Sequence, residues 1–128
     1  MTIVEYASKF IGKPYIWGGN NHKGFDCSGL VIEVLQAFGI LPTGDWTADS
    51  LVKKLKSLGY SEAKDYKEGD IVFFHNGTKY YHVAIMVNEF QYIEAGGGGS
   101  KCTTPDNSTG MIRLRPLTWR KPDLILRK

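Results

Sequence analysis

The hydrophobic pattern changes its period once along this chain, and that change limits the possible folds more than any other feature. Up to about residue 59 the apolar residues recur at helical spacing, whereas after residue 68 they form short β-branched runs between turns. Helices followed by strands with tight turns are typical of an α+β protein with an antiparallel sheet. Because 128 residues suit one compact domain, we predict a single α+β domain over residues 1–128.

Capping residues, glycines and turn sequences mark where the elements begin and end. Asn76-Gly77 is a hairpin-type turn, and Asp70 is predicted to cap the turn before the first strand. The predicted helices run from Thr2 to Gly12, from Cys27 to about Phe38, and from Thr47 to Gly59. The predicted strands are Ile71–Phe74, His82–Val87, Gln91–Ala95, Met111–Arg115 and Leu124–Arg127.

Cys27 lies where a glycine-rich loop gives way to the second helix. A thiol at a helix N-terminus feels the positive end of the helix dipole, which favours the thiolate, and the thiolate is the nucleophilic form. A buried structural cysteine would have apolar neighbours, but Cys27 is flanked by Asp26 and Ser28. We therefore interpret Cys27 as a catalytic nucleophile.

A cysteine nucleophile needs a base, and the chain offers three histidines. His22 lies in a polar loop and His75 in a turn, so both are expected to be solvated. His82 stands at the start of a predicted strand, which would hold its ring rigidly. We predict that His82 is the base.

Glu94 is the candidate for the group that orients the base. If residues 88–90 turn the chain, Ala84 opposes Glu94, and His82 is the diagonal neighbour of Glu94 on the same face of the sheet. A carboxylate there would accept the Nδ1 proton of His82 and stabilise the imidazolium. The alternative, an exposed strand glutamate without a catalytic role, is equally open from the sequence.

Three more residues near Cys27 each have a structural and a functional interpretation. Asp26 is predicted to cap the Cys27 helix, and its carboxylate could also bind a substrate amine. Tyr15 is either a packed aromatic residue or a hydroxyl donor to an oxyanion, beside the Cys27 backbone amide. Trp17 forms the wall of a groove or part of the core.

Composition argues against several other functions. The net charge of +3 is spread along the chain, with some arginines and lysines near its end, so it favours solubility over a nucleic-acid partner. Cys27 and Cys102 make no disulfide framework and are both predicted to be free thiols. With so few cysteines and histidines at ligand spacing, we expect no metal and no other cofactor.

Targeting signals also bear on location. No stretch is long and apolar enough to insert into a membrane, and the N-terminus lacks the pattern of a signal peptide. A target outside the cytoplasm would then require delivery by another system. The run Gly96–Ser100 is expected to be a surface loop that borders the groove.

Five segments follow one another in an order that resembles the NlpC/P60 family of papain-like cysteine peptidases. One is the loop before the nucleophile, one contains the nucleophile, one follows its helix, one precedes the base, and one contains the base. They are Gly12–Gly19, Phe25–Val31, Gly39–Pro42, Glu68–Phe74 and Tyr81–Ile85.

The resemblance implies helices packed on an antiparallel sheet and hydrolysis of the stem peptides of bacterial peptidoglycan. The expected bond joins γ-D-glutamate to a diamino acid, either diaminopimelate or lysine. By the same resemblance, Cys27 is the nucleophile, His82 the base, and Tyr15 a donor near the oxyanion. Asp26 and Ser28 correspond to positions that contact the free amine or the stem backbone.

Glu94 departs from the family pattern, which usually has histidine, and sometimes asparagine or glutamine, at the third catalytic position. The related CHAP amidases and peptidases use a carboxylate there, so the departure is compatible with catalysis. The expected function is a monomeric cysteine endopeptidase, delivered to the wall by phage lysis or tail proteins or by effector secretion. The alternatives are a CHAP-like amidase or acyl-transfer enzyme, and a non-catalytic wall-binding or phage tail module.

Overall fold

The architecture consists of helices followed by an antiparallel sheet. The computed structural model describes residues 1–16, 19–21, 24–97, 104, 107 and 109–128. The helices in these residues are α1 (Ile3–Ser8), α2 (Cys27–Ala37) and α3 (Ala48–Ser57). The strands are β1 (Asn20–Asn21), β2 (Gly24–Phe25), β3 (Ser61–Glu62), β4 (Ile71–His75), β5 (Tyr80–Met86), β6 (Gln91–Gly96), β7 (Met111–Pro116) and β8 (Leu124–Arg127). The predicted α+β class is confirmed. No helix among the described segments is long and apolar enough to cross a bilayer.

The helix starts are set by side-chain caps, as predicted. Thr2 and Glu5 form a reciprocal capping box on α1, and Thr47 caps α3. However, α1 ends at Ser8 and does not reach Gly12. The reason is that the Gly12 amide donates to the Ile112 carbonyl at 2.8 Å, so the chain leaves the helix to pair with β7.

The main sheet has the strand order β3-β8-β4-β5-β6-β7, with antiparallel neighbours throughout the described strands. In the β5–β6 pair, Ile85 opposes Ile93 and Met86 opposes Tyr92, which is the predicted register. Strand β5 begins at Tyr80, two residues before the predicted start. Strands β1, β2 and β3 were not predicted, because a two-residue strand is too short to show a period.

Both faces of the sheet are covered. The helices pack on one face against the larger core, which includes Phe73, Val83 and Ile93. The other face carries a second buried cluster of six residues. These are Val72, Phe74, Ala84, Met86, Tyr92 and Ile125. Since alternate residues of a strand share a face, His82 and Glu94 lie on the second face, in line with Ala84 and Tyr92.

Asp70 and Arg127 connect the end of the chain to the centre of the sheet. Asp70 caps its turn as predicted, because its Oδ2 accepts from the Lys67 amide at 2.8 Å. The Arg127 guanidinium also binds both carboxylate oxygens of Asp70, at 2.8 and 2.7 Å. Asp70 is only 2% exposed, so this two-pronged ion pair neutralises a buried charge.

Candidate active site

Cys27 is the first residue of α2, and its position is fixed by the loop and strand around it. Asp26 caps the helix by accepting from the Gly29 amide at 2.7 Å. The Sγ atom of Cys27 lies 3.8 Å from the carbonyl oxygen of Tyr81, the residue before His82. The preceding loop crosses α2 so closely that a Cβ on Gly29 would collide with the Gly19 carbonyl oxygen. Glycine is therefore needed at position 29 to bring loop and helix together.

His82 and Glu94 are in contact, as the predicted register requires. The Nε2 atom of His82 lies 2.8 Å from Oε1 of Glu94. The prediction named Nδ1 as the atom facing Glu94 and is wrong on this point, because the ring turns its outer nitrogen toward β6. This orientation leaves Nδ1 on the side of the ring away from Glu94, and Cys27 is near enough to His82 to raise the pKa of the imidazole. The ring also packs on Phe74, with 5.1 Å between centroids.

Glu94 is buried, with 5% of its surface exposed. The alternative of an exposed strand glutamate is thus wrong, because the second face of the sheet is covered. Its Oε2 lies 3.5 Å from Nε of Arg115 and 3.7 Å from Nε of Arg113. The β6–β7 register causes this, since Arg113 opposes Glu94 and Arg115 opposes Tyr92. In the sequence, both arginines stand out only as basic residues near the chain end, although their spacing of two residues indicates that they share one face of a strand.

The pKa values of this cluster favour an ion pair. Burial lowers the pKa of His82, but hydrogen bonds to Cys27 and Glu94 and the negative charges of both outweigh burial and raise it to about 9. Burial raises the pKa of Glu94, but the His82 hydrogen bond and the charges of His82, Arg113 and Arg115 outweigh it and lower the pKa. A pKa near 9 predicts a protonated His82 at neutral pH, paired with the ionised Glu94 carboxylate.

A cleft of about 760 Å³ brings the candidate residues together. The predicted site residues that line it are Tyr15, Asp26, Cys27, Ser28, His82 and Glu94. Tyr15 is 7% exposed, and its amide donates to the Gly110 carbonyl at 2.9 Å, so its position is fixed by the segment before β7. Trp17, His22, Cys102 and residues 98–100 of the predicted surface loop lie outside the described residues.

The two ends of the cleft differ in charge. Asp26, Ser28 and Thr47 also line an adjoining cavity of about 290 Å³, together with Asp45 and Trp46. The other end of the cleft carries Arg113, Arg115 and Arg120 with several aromatic side chains. Those aromatic residues are Phe74, Tyr81, Tyr92 and Trp119.

His75 stays apart from this chemistry, because its Nδ1 accepts from the Gly77 amide at 3.0 Å and so belongs to the turn. Among the described residues, no group of three or more His, Cys, Asp or Glu side chains is arranged to hold a metal ion. What the arrangement can do is covalent chemistry: a sulfur at a helix N-terminus, an imidazolium and a buried carboxylate meet at the floor of one cleft.

Comparison with known proteins identifies the family to which this chain belongs. The model of the NlpC/P60 family matches residues 12–115. The NlpC/p60 domain of the peptidoglycan hydrolase SagA superposes with a TM-score of 0.72 at 34% identity, covering 98% of this chain and 96% of that one. The fold is papain-like α+β, and the chain belongs to the NlpC/P60 family.

Curated relatives are larger proteins. Protein P54 of Enterococcus faecium is 36% identical over 123 residues, covering 95% of this chain and 21% of that protein. The probable endopeptidase p60 of Listeria monocytogenes is 39% identical over 100 residues, 77% of this chain and 19% of that protein. The gamma-DL-glutamyl hydrolase of Bacillus subtilis is 37% identical over 100 residues, covering 74% of this chain and 23% of that protein. The chain thus spans about a fifth of the length of these relatives.

Proposed function

We propose that this chain is a cysteine endopeptidase that hydrolyses the bond between γ-D-glutamate and the diamino acid in peptidoglycan stems. The observation that carries the proposal is that Cys27, His82 and the buried Glu94 line one cleft, with Nε2 of His82 2.8 Å from Glu94 and the Cys27 sulfur 3.8 Å from the carbonyl oxygen of Tyr81. Relatives named endopeptidase p60 and gamma-DL-glutamyl hydrolase support the reaction and the bond. The match to nearly the whole SagA domain supports a single catalytic domain over residues 1–128.

In the proposed mechanism the enzyme starts from the thiolate–imidazolium pair. The Cys27 sulfur attacks the γ-glutamyl carbonyl carbon and forms a tetrahedral oxyanion. The backbone amide of Cys27, which has no acceptor within its own helix, and the Tyr15 hydroxyl stabilise that oxyanion. His82 gives its proton to the leaving amine as the C–N bond breaks, and a thioester remains.

Hydrolysis of the thioester completes the cycle. His82, now neutral, takes a proton from water, whose oxygen attacks the thioester carbon and releases Cys27 and the γ-glutamyl acid. Glu94 is a positioning residue, because it holds Nε2 and keeps Nδ1 directed toward the sulfur. Asp26 and Ser28 are proposed to contact the stem at the acidic end of the cleft, and Trp17 is proposed to contact the substrate too.

A second reaction is supported by one observation, the carboxylate at the third position. CHAP enzymes use a carboxylate to orient the catalytic histidine, and Glu94 occupies that position in this chain. An amidase or acyl-transfer reaction is therefore the competing candidate. The site of action proposed for either reaction is the bacterial wall. Delivery by phage proteins stays a prediction, since the endolysin among the solved structures is only 18% identical and carries the fold alone.

The test is digestion of a purified disaccharide-tetrapeptide, with products identified by mass spectrometry. The proposal predicts a disaccharide that keeps L-Ala–γ-D-Glu, plus a free dipeptide that begins with the diamino acid. Release of the whole stem from the sugar would identify the amidase instead. Cys27→Ala should stop turnover, whereas the matched variant Cys102→Ala should not. If the wild type releases nothing but still binds the stem, the chain is a non-catalytic wall module.

A further inference from the structure

Positive charge exceeds negative charge behind His82. Glu94 uses Oε1 on His82, which leaves only Oε2 for the guanidinium groups of Arg113 and Arg115. The distances of 3.7 and 3.5 Å are longer than those of a well-formed charged hydrogen bond. Nε of Arg113 is buried and has no hydrogen-bond partner within the described part of the chain. The remaining Glu94 oxygen therefore pairs only loosely with the two cations that face it.

Arg120 adds a third cation to this end of the cleft. Its guanidinium carbon lies 4.9 Å from the centre of the Tyr81 ring and 5.6 Å from that of Phe74. Arg115 is stacked in the same way on Trp119, at 3.9 Å. Stacking on a ring fixes the plane of a guanidinium and directs the N–H groups at its edge toward a planar anion. One of these groups on Arg120, Nη2, also donates to the His75 carbonyl at 3.4 Å. These groups line the cleft itself, so a ligand there can reach them.

The reaction determines which part of the substrate faces these arginines. His82 must stand next to the leaving nitrogen in order to protonate it, so the residue that carries this nitrogen lies on the His82 side of Cys27. Arg113 and Arg115 lie on that same side, behind the imidazole and against Glu94. The opposite side, at the start of α2, carries Asp26 and Ser28 and suits the amine end of the stem.

We propose that Arg113, Arg115 and Arg120 form a carboxylate-binding subsite for the leaving-group residue. This inference rests on the proposed function and refines its substrate class: stems whose diamino acid carries a free carboxylate. That carboxylate can be the side-chain carboxylate of diaminopimelate or the α-carboxylate of a C-terminal diamino acid. Guanidinium pairs bind either one through two parallel hydrogen bonds.

The experiment compares kcat/KM for defined tripeptides L-Ala–γ-D-Glu–X that differ in one group. X is meso-diaminopimelate with both carboxylates free, with the side-chain carboxamide, or with the α-carboxamide, and lysine with its free α-carboxylate. The subsite predicts that one of the two amidations lowers kcat/KM by about tenfold or more, since a hydrogen bond to a charged group is worth that much. Which amidation has this effect identifies the carboxylate.

Arginine variants then separate binding from effects on catalysis. In Arg115→Gln and Arg113→Gln, the ratio of kcat/KM between the free and amidated peptides should fall toward one. Arg120→Gln removes a cation that touches neither Glu94 nor His82, and it keeps the test valid if the other two variants do not fold. Lys79→Gln removes a different cation that lines the cleft and is the matched control, which should keep the wild-type ratio.

Two results would overturn the subsite while the proposed function survives. One is a wild type that cleaves the free and amidated peptides equally well. The other is a set of arginine variants that lose activity on every peptide in equal proportion, which would mean that the arginines act only through Glu94. If the wild type cleaves none of the peptides and no stem, the proposed function fails, and the subsite fails with it.

Discussion

The Nε2 atom of His82 lies 2.8 Å from Oε1 of Glu94, across a diagonal of the β5–β6 pair. The carboxylate therefore stands behind the ring, on the side away from the nitrogen left for Cys27. Burial of Glu94 strengthens its effect on the imidazolium, because water screens the charge poorly there. The arginines on β7 in turn keep Glu94 ionised.

Glu94→Gln should change the pH dependence of activity. The amide keeps a hydrogen bond to Nε2 but removes the negative charge that helps to raise the pKa of His82. The alkaline decline of kcat/KM, which reports loss of the His82 proton, should therefore move to lower pH, with a fall in rate of about tenfold to a hundredfold. Glu94→Asp keeps the charge and is the control. An unchanged pH profile in Glu94→Gln would remove Glu94 from the mechanism.

Gly96→Ala should impair catalysis more than folding. A Cβ at this position would lie 2.7 Å from Oε2 of Glu94, so the carboxylate has to move away from His82. The loss of stability should be smaller than that for Arg127→Gln, because the end of the Glu94 side chain can shift while Glu94 and His82 both stay in place, whereas the misplaced carboxylate should lower kcat about tenfold. Gly77→Ala is the contrast, since it strains a positive φ in an open turn and should lower stability without affecting the rate.

Gly29→Ala should destabilise the protein, although alanine normally favours a helix by about 1 kcal/mol over glycine. The added methyl would collide with the Gly19 carbonyl and lie 2.8 Å from the Asp26 carboxylate that caps α2. We expect a loss of about 2 kcal/mol or more in urea unfolding. A stabilised Gly29→Ala variant would contradict the close packing of the loop on the helix.

Arg127→Gln should cost stability without a direct effect on the site. It leaves the Asp70 carboxylate buried without its cation, and an uncompensated buried charge is strongly destabilising. The second partner of Arg127, Asp65, is 68% exposed, so Asp65→Asn should change stability far less than Arg127→Gln. Equal losses for Arg127→Gln and Asp65→Asn in chemical unfolding would show that Asp70 does not carry the effect.

Features encoded by local sequence could be predicted, and those created by the register of distant strands could not. Caps and hydrophobic spacing were enough for the helices, and a short turn set the β5–β6 register that joins His82 to Glu94. Arg113 reaches Glu94 only because β7 pairs with β6, and Arg127 reaches Asp70 because the last strand pairs with β4. A period of two can show that Arg113 and Arg115 share one face of a strand, but it does not show which distant strand that face lies beside.

The choice of ring nitrogen also lay beyond sequence reasoning. A register places His82 next to Glu94, but either nitrogen of the ring can face the carboxylate until the direction of the side chain is known. The packing of the ring on Phe74 accompanies the orientation found here. The distinction matters because the nitrogen that faces the sulfur is the one that transfers the proton.

The protonation state of His82 is the most direct test of the account, and NMR titration of the labelled imidazole rings measures it. The His82 resonance can be assigned by its loss in His82→Gln. Because folding raises the pKa of His82, the stability that the His82–Glu94 ion pair supplies should be complete below about pH 6.5. It should be lost as the pH rises through the pKa of His82 in the folded protein. We expect the His82 midpoint near pH 9 in the wild type and at lower pH in Glu94→Gln. A wild-type midpoint at or below the ordinary value of 6.5 would contradict a resting thiolate–imidazolium pair.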